Sequence, residues 1–421
     1  MKRFLSLLLV MLVFTGCDGF ANRDNIINLL SSPKLSQRES RIVTCIKEYL
    51  GQDIILKYPR QGSNISPVQT YDLSGDGSEE AVVLYTAPGM GGMVRLAVLS
   101  QQEDKWQVDY EGEGMGSEIH SISFAQLSEN ADRQIIAGYT FSDSSEKFLS
   151  IYTTEDGKVS DIQHQTCQDY MVADVTGDGV QDIVLASVNA DNQHTQLKIL
   201  STYDNSFLSS IVSKQLNVPN ARVTNISLSK NDFSDKMAIV VDYTDSYFRV
   251  YTQGVYYGDY KLHTIMPSDL VQKRWVYDYS LDSMDVDGDG YLETPTVIDT
   301  GNTMPENLKF MEWTCFLTQQ PVRKLYGFCE AESGIYFSLP DRWQNYIYLE
   351  YGRDSSTWRV KQTGSGQDIV TFWLLSAGYE EQHDDNSIVT GIGTLQVRIT
   401  FDDSVSQDQR EYIANGLIYI K

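Results

Sequence analysis

Apolar and polar residues in this chain alternate in short runs, and most runs end at a polar or glycine-bearing turn. Ala81-Val-Val-Leu-Tyr85, Val94-Arg-Leu-Ala-Val-Leu99, Trp106-Gln-Val-Asp-Tyr110, Phe148-Leu-Ser-Ile-Tyr152, Ile183-Val-Leu-Ala186, Leu197-Lys-Ile-Leu200, Phe248-Arg-Val-Tyr251 and Thr296-Val-Ile298 are of this kind. Their length and their β-branched and aromatic content predict strands rather than helices. Thirty glycines and 26 tyrosines suit a turn-rich sheet protein. Ser36-Gln-Arg-Glu39 has the spacing of a capping box and opens a helix with Ile42, Cys45, Ile46 and Tyr49 on one face. Asp408 to Asn415 predicts a second, short helix that ends at Gly416.

Three acidic loops punctuate the strands: Asp72-Leu-Ser-Gly-Asp-Gly-Ser-Glu-Glu80, Asp174-Val-Thr-Gly-Asp-Gly-Val-Gln-Asp182 and Asp285-Val-Asp-Gly-Asp-Gly-Tyr-Leu-Glu293. Each puts an oxygen-bearing side chain at loop positions 1, 3, 5 and 9: Asp72, Ser74, Asp76 and Glu80; Asp174, Thr176, Asp178 and Asp182; Asp285, Asp287, Asp289 and Glu293. Alternate positions of a tight loop converge on one point, and glycine tolerates the backbone such a turn needs. Hard oxygens in that number, several of them charged, are what calcium selects. The third loop, with Asp at positions 1, 3 and 5, is the strongest candidate. An EF-hand does not fit, because position 12 is Val83, Leu185 or Thr296 where that loop needs a bidentate Glu and an exiting helix. The competing reading is an Asp-Gly turn without metal.

The loops lie 102 and 111 residues apart, about twice the length of one small antiparallel sheet, so intermediate copies are expected. Ser123 to Ala137 aligns if Gln126 stands for Asp72, and Ser227 to Val240 aligns if Ser227 stands for Asp174. The five starts at 72, 126, 174, 227 and 285 give a period of 48–58 residues. A period near 50 with several short strands per unit predicts a mainly β propeller. Five blades are recognisable, and six or seven are expected once the terminal strands are counted. The loops resemble those of FG-GAP/VCBS-type repeats in integrin-like propellers, over roughly residues 52–330. That resemblance implies up to three structural Ca2+ ions, with the carbonyls of Ser78, Val180 and Tyr291 at position 7 completing the three ligand sets. After residue 330 the frame stops. Residues 331–421 are expected to form a separate small α+β domain, similar to modules appended to surface lipoproteins of Gram-positive bacteria.

The first residues set the compartment. Lys2 and Arg3 precede the apolar run Phe4 to Phe14, and Phe14-Thr-Gly-Cys17 resembles a bacterial lipobox. Residues 1–16 are therefore expected to be a lipoprotein signal peptide, Cys17 the lipidated residue, 17–34 a tether, and 35–330 the N-terminal helix and propeller. The apolar run is too short for a membrane span. The expected location is extracytoplasmic, anchored by lipid to the bacterial cell membrane. A formal charge of −24 argues against a nucleic-acid partner. Four further cysteines remain. A hairpin centred near Val322 would pair Cys315 with Cys329 as a candidate disulfide, and Cys45 and Cys167 are expected as buried thiols or a weaker second pair.

No catalytic constellation stands out. Gly364-Ser-Gly366 is part of a nucleophile-elbow motif and lacks its strand–helix context. Gly89-Met-Gly-Gly92 has no phosphate-binding lysine and reads as a turn. The aromatic stretch Tyr243 to Tyr260 offers either a stacking face or ordinary alternating strand residues. The favoured expectation is a non-enzymatic module that presents a protein- or glycan-binding face. The alternative is a surface polysaccharide-degrading enzyme, a lyase or hydrolase, on a propeller scaffold.

Overall fold

In the computed structural model the described residues are 35–128, 133–155, 158–189, 191–202, 208–266, 271–272, 275–276, 279–298, 307–352, 356–375, 386–393 and 395–420. The segments expected as signal peptide (1–16) and tether (17–34), with Cys17, lie outside them. Of the described residues 54% are in strands and 8% in helices, as the short alternating runs require. No helix among them is long and apolar enough to cross a membrane.

Helix α1 (Gln37–Leu50) starts at the expected capping box. Ser36 Oγ accepts from the Glu39 N–H at 3.2 Å, and Glu39 Oε2 accepts from the Ser36 N–H at 2.7 Å. Its buried face is Ile42, Val43 and Ile46, while Tyr49 in the last turn stands 62% exposed. Cys45 is half-buried beside that face, where its thiol donates to the Trp106 carbonyl.

Five blade-like antiparallel sheets follow. The first has β1 (Ile55–Leu56) and β2 (Val68–Tyr71) end to end along one edge of β3 (Glu80–Thr86), then β4 (Arg95–Gln102) and β5 (Lys105–Glu113). The next two are four-stranded meanders: β6 (Glu118–Ala125) to β9 (Lys158–Cys167) through β7 (Gln134–Thr140) and β8 (Lys147–Glu155), then β10 (Asp169–Ala173) to β13 (Leu208–Gln215) through β11 (Asp182–Val188) and β12 (Thr195–Thr202). The fourth comprises β14 (Arg222–Ser229), β15 (Ala238–Thr244), β16 (Val250–Gly258) and β17 (Lys261–Thr264), with β18 (Val271–Gln272) also on β16. A small pair, β19 (Trp275–Val276) and β20 (Tyr279–Ser280), precedes the fifth sheet of β21 (Glu293–Val297), β22 (Leu308–Cys315), β23 (Val322–Glu330) and β24 (Ile335–Ser338).

Alternation along each second strand explains the stacking, because successive side chains point to opposite faces. In β3, Val82 and Leu84 pack towards the second sheet, while Ala81, Val83 and Tyr85 pack under α1. In β7, Ile135, Ala137 and Tyr139 face the first sheet and Ile136 faces the third. In β11, Ile183 and Leu185 face the second sheet, and Val184 and Ala186 the fourth. In β15, Ile239 and Val241 face the third sheet, and Ala238 and Val240 the fifth. Each sheet is thus buried on both faces, which accounts for the nearly continuous apolar runs.

The boundary expected at residue 331 does not break the sheet. β24 continues the fifth sheet beyond it, and the last strand of the chain, β30 (Leu417–Tyr419), pairs with β24. Between them lies a further sheet: β25 (Ile347–Tyr351), β26 (Thr357–Gln362), β27 (Asp368–Leu375), β29 (Leu395–Phe401) and, at the edge, β28 (Ser387–Ile392). Helix α2 (Gln407–Asn415) follows as expected and buries Ile413 and Ala414. One apolar core holds Phe310, Tyr326, Phe328 and Phe337 of the fifth sheet together with Trp358, Val370, Phe372 and Ile399 of the last.

The candidate disulfide is corrected. The β22–β23 hairpin turns before Val322, so Cys315 lies opposite Val322 and Cys329 opposite Lys309. The two cysteines therefore sit six residues apart along β22 (309 to 315), about 20 Å at strand rise. A bridge needs Cα atoms within about 7 Å. None of Cys45, Cys167, Cys315 and Cys329 is in a disulfide, and burial pushes the Cys167 thiol up to about 12.

Candidate metal loops at one end of the blades

The three acidic loops occupy one structural position, leading directly into β3 of the first sheet, β11 of the third and β21 of the fifth. The register states this directly: Tyr71 pairs with Glu80, Ala173 with Asp182, and Met284 with Glu293 through an isolated bridge. Position 9 is thus always the first residue of the strand that follows the loop. The second sheet repeats the register with Ala125 opposite Gln134, so Gln126 does stand for Asp72.

The fourth copy is shifted from the expected alignment. Ser229 pairs with Ala238, which makes Lys230 the residue at position 1 and leaves Ser227 inside β14. Leu228 and Ser229 continue the strand, and without a Gly-Asp-Gly centre nothing in the sequence marks where the loop begins. Position 5 of this copy is therefore Ser234 rather than Asn231.

The loops are alike atom by atom. The glycines at positions 4 and 6 have φ of +71° and +89° (Gly75, Gly77), +73° and +95° (Gly177, Gly179), and +77° and +91° (Gly288, Gly290). Side chains with a Cβ rarely adopt that region, so these glycines set the turn. The position 1 carboxylate accepts from the position 6 N–H: Asp72 from Gly77 at 3.1 Å, Asp174 from Gly179 at 3.0 Å and Asp285 from Gly290 at 2.9 Å. The position 5 carboxylate accepts from the position 7 N–H: Asp76 from Ser78, Asp178 from Val180 and Asp289 from Tyr291, at 2.7–3.0 Å. The position 9 carboxylate accepts from the position 2 N–H: Glu80 from Leu73, Asp182 from Val175 and Glu293 from Val286, at 2.8–3.0 Å. Gln134 makes the same bond to Leu127 in the second copy.

These bonds leave some oxygens unused. Asp72 Oδ1, Asp182 Oδ1 and Glu293 Oε1 are buried without a hydrogen-bond partner, and Asp182 and Glu293 have no exposed surface at all. A buried carboxylate oxygen without a partner is costly. Burial raises the Asp182 and Glu80 carboxyls above the usual range. It pushes Glu293 up to about 7, with the charges of Asp287 and Asp289 adding. Asp285, Asp287 and Asp289 each bring an oxygen within 4.8 Å of the others. A cation would relieve both the orphaned oxygens and the mutual repulsion, so the residues present fit a hard divalent ion. The position 3 hydroxyls differ: Thr176 Oγ1 donates to Asp182 at 3.0 Å, while Ser74 Oγ is buried without a partner.

Hydrogen bonds tie the first loop to the second, the second to the third and the fourth to the fifth. The Arg133 N–H donates to the Leu73 carbonyl at 2.8 Å, Gln181 N–H to the Gln126 carbonyl at 2.9 Å, and Leu292 N–H to Ser229 Oγ at 2.9 Å. All three donors occupy position 8. Two lysines reach the fifth-sheet loop, and no local signal in the sequence could have found them. Lys230 Nζ donates to the Asp289 carbonyl at 2.6 Å. Lys324 Nζ, from β23, donates to Asp287 Oδ2 at 3.0 Å and to Asp289 Oδ2, and that bond holds the Asp289 carboxyl below its usual range.

The aromatic stretch divides. Tyr243, Tyr251 and Tyr257 are core residues, and Tyr256 stacks on His263. Tyr247 and Phe248 stand 78% and 61% exposed in the β15–β16 turn, at the end of the blade away from the loops, and Tyr260 lies in the β16–β17 turn at the loop end. One polar network was also missed: Ser150 Oγ lies 3.1 Å from His164 Nδ1, and His164 Nε2 lies 3.6 Å from Asp161. Ser150 has no exposed surface, so this network presents no reachable nucleophile.

No family model matches the chain, and no curated protein matches it. Similar solved structures include Sqt1 from Chaetomium thermophilum, 12% identical with a TM-score of 0.36 over 83% of this chain and 84% of that one. The Dos1 propeller is 10% identical with a TM-score of 0.33 over 82% and 81%. Rhamnogalacturonan lyase PL11 from Bacillus licheniformis is 14% identical with a TM-score of 0.31 over 58% of each chain. None of these likenesses bears on activity.

Proposed function

We propose that this chain is a lipid-anchored extracytoplasmic binding module, non-enzymatic, whose alternate blades are held by structural calcium. One observation supports the calcium above all others. The same turn recurs in the first, third and fifth sheets with a carboxylate oxygen buried and unpartnered in each. In this reading Asp72, Asp76 and Glu80, then Asp174, Asp178 and Asp182, then Asp285, Asp287, Asp289 and Glu293 supply the charged ligands. The bound ion stabilises turns that have little apolar surface of their own. It supplies charge neutralisation, and the chain supplies the oxygens and the left-handed glycines that aim them.

The tether from Cys17 would place the blades outside the membrane, free to take a protein or glycan ligand. An exposed pair such as Tyr247–Phe248 suits such contacts, since aromatic rings give large contact area at low entropic cost. The turn is held for it: Asp245 accepts from the Tyr247 and Arg249 N–H groups at 2.9 Å each, and from Tyr251 Oη at 3.1 Å.

Asp178→Ala tests the metal reading. It is expected to remove most of the calcium-induced gain in melting temperature that the third sheet contributes. Ser234→Ala, at the same position of the fourth loop, is expected to remove none. Equal responses would reduce the three loops to ordinary Asp-Gly turns.

A further inference from the structure

We propose that Lys324 is a resident counter-cation of the fifth-sheet loop, which a divalent ion must displace, so that the loop with the most carboxylates at its ligand positions is the weakest of the three ion sites. The inference rests on the calcium reading above and reverses the ranking that carboxylate number alone gives.

The oxygens decide it. Asp285 spends both of its own on backbone: Oδ1 accepts from Gly288 and Asp289, and Oδ2 from Gly290. Asp289 Oδ1 is taken by Tyr291. With Asp287 Oδ1 accepting from the Asp289 N–H, the loop's oxygens that accept no backbone hydrogen bond are Asp287 Oδ2, Asp289 Oδ2 and Glu293 Oε1, and Lys324 Nζ already spans the first two. Calcium binds its oxygens at about 2.3–2.6 Å. An ion bridging those two atoms would take the space the ammonium fills, so the two cations exclude each other. Lysine is a compact charge on a flexible stem and can swing away. Its side chain is 21% exposed and the two carboxylates 33% and 37%, so leaving is affordable but not free.

The other two loops differ. Among the described residues, no Lys or Arg forms an ion pair with Asp72, Asp76, Asp174 or Asp178; the nearest such pair, Arg38–Glu79, uses position 8. Lys230 is not a competitor, since it holds the Asp289 carbonyl and lies over Gly290. The fifth-sheet loop is therefore built to exchange one cation for another: it keeps its turn when calcium is scarce and loads last.

Isothermal titration of the whole protein with calcium reads this out, using wild type, Lys324→Met and Lys324→Gln. Expected is a weakest binding step that tightens about tenfold in Lys324→Met, with the tighter steps unchanged. Lys324→Gln keeps a polar head without the charge, on a stem one atom shorter, should the methionine variant misfold, and is expected to move the same step in the same direction. An isotherm unchanged by both variants, or a weakest step lost from a variant whose circular dichroism is that of wild type, overturns the role of Lys324 while leaving the calcium reading in place. Absence of calcium binding in all three proteins overturns both.

Discussion

Replacing Phe337 with alanine is expected to cost about 3–5 kcal/mol and to loosen the fifth sheet and the C-terminal sheet together. The ring is fully buried on β24. It stacks on Phe328 of its own sheet at 4.8 Å between centroids and meets Phe372 at 4.6 Å and Trp358 at 5.6 Å across the interface. The neighbours that meet it are large rings fixed in two sheets, so most of the cavity cost should remain. Hydrogen exchange on Phe337→Ala measures the coupling. Protection is expected to fall in β22–β24 and in β25–β29 alike. A loss confined to residues beyond 340 would instead support the separate domain that the sequence suggests.

Chelation is expected to lower the melting temperature by on the order of 5–10 °C. An ion that binds only the folded chain stabilises it by about 2.7 kcal/mol per site at a hundredfold excess over its Kd. In a chain of this length each kcal/mol moves the melting temperature by about 2 °C or less. The first- and third-sheet loops should carry most of the effect, because Lys324 already neutralises part of the fifth-sheet loop. Magnesium is expected to restore little of the loss, since it demands a tighter octahedron than an Asp-rich loop gives. Scanning calorimetry with chelator, calcium and magnesium checks all of this, and equal protection by the two metals would speak against the loops.

What the sequence revealed followed from how local each signal is. Gly-Asp-Gly with flanking carboxylates is complete within nine residues, so the three loops and their spacing were legible, and with them the blades. The capping box at Ser36–Glu39 was legible for the same reason. The fourth copy was misplaced by three residues because Lys230 to Lys236 keeps neither the glycines nor the first carboxylate that would fix the frame. The hairpin that carries Cys315 and Cys329 turns over residues 316–321, ending at Pro321, a strong turn residue, so its centre lies before Val322. The remaining features have no local sign. β30 joins β24 from about 80 residues away, and Lys324 meets Asp287 and Asp289 from 37 and 35 residues away. Such contacts depend on how the sheets stack, which alternation along one strand does not specify.

Native mass spectrometry of the folded chain titrated with calcium tests the central claim most directly. Expected are specific calcium adducts that saturate at no more than three per chain and disappear on unfolding. One adduct should be lost on Asp76→Ala and another on Asp178→Ala. Adducts that survive both substitutions unchanged, or a folded chain that takes up no calcium, would contradict it.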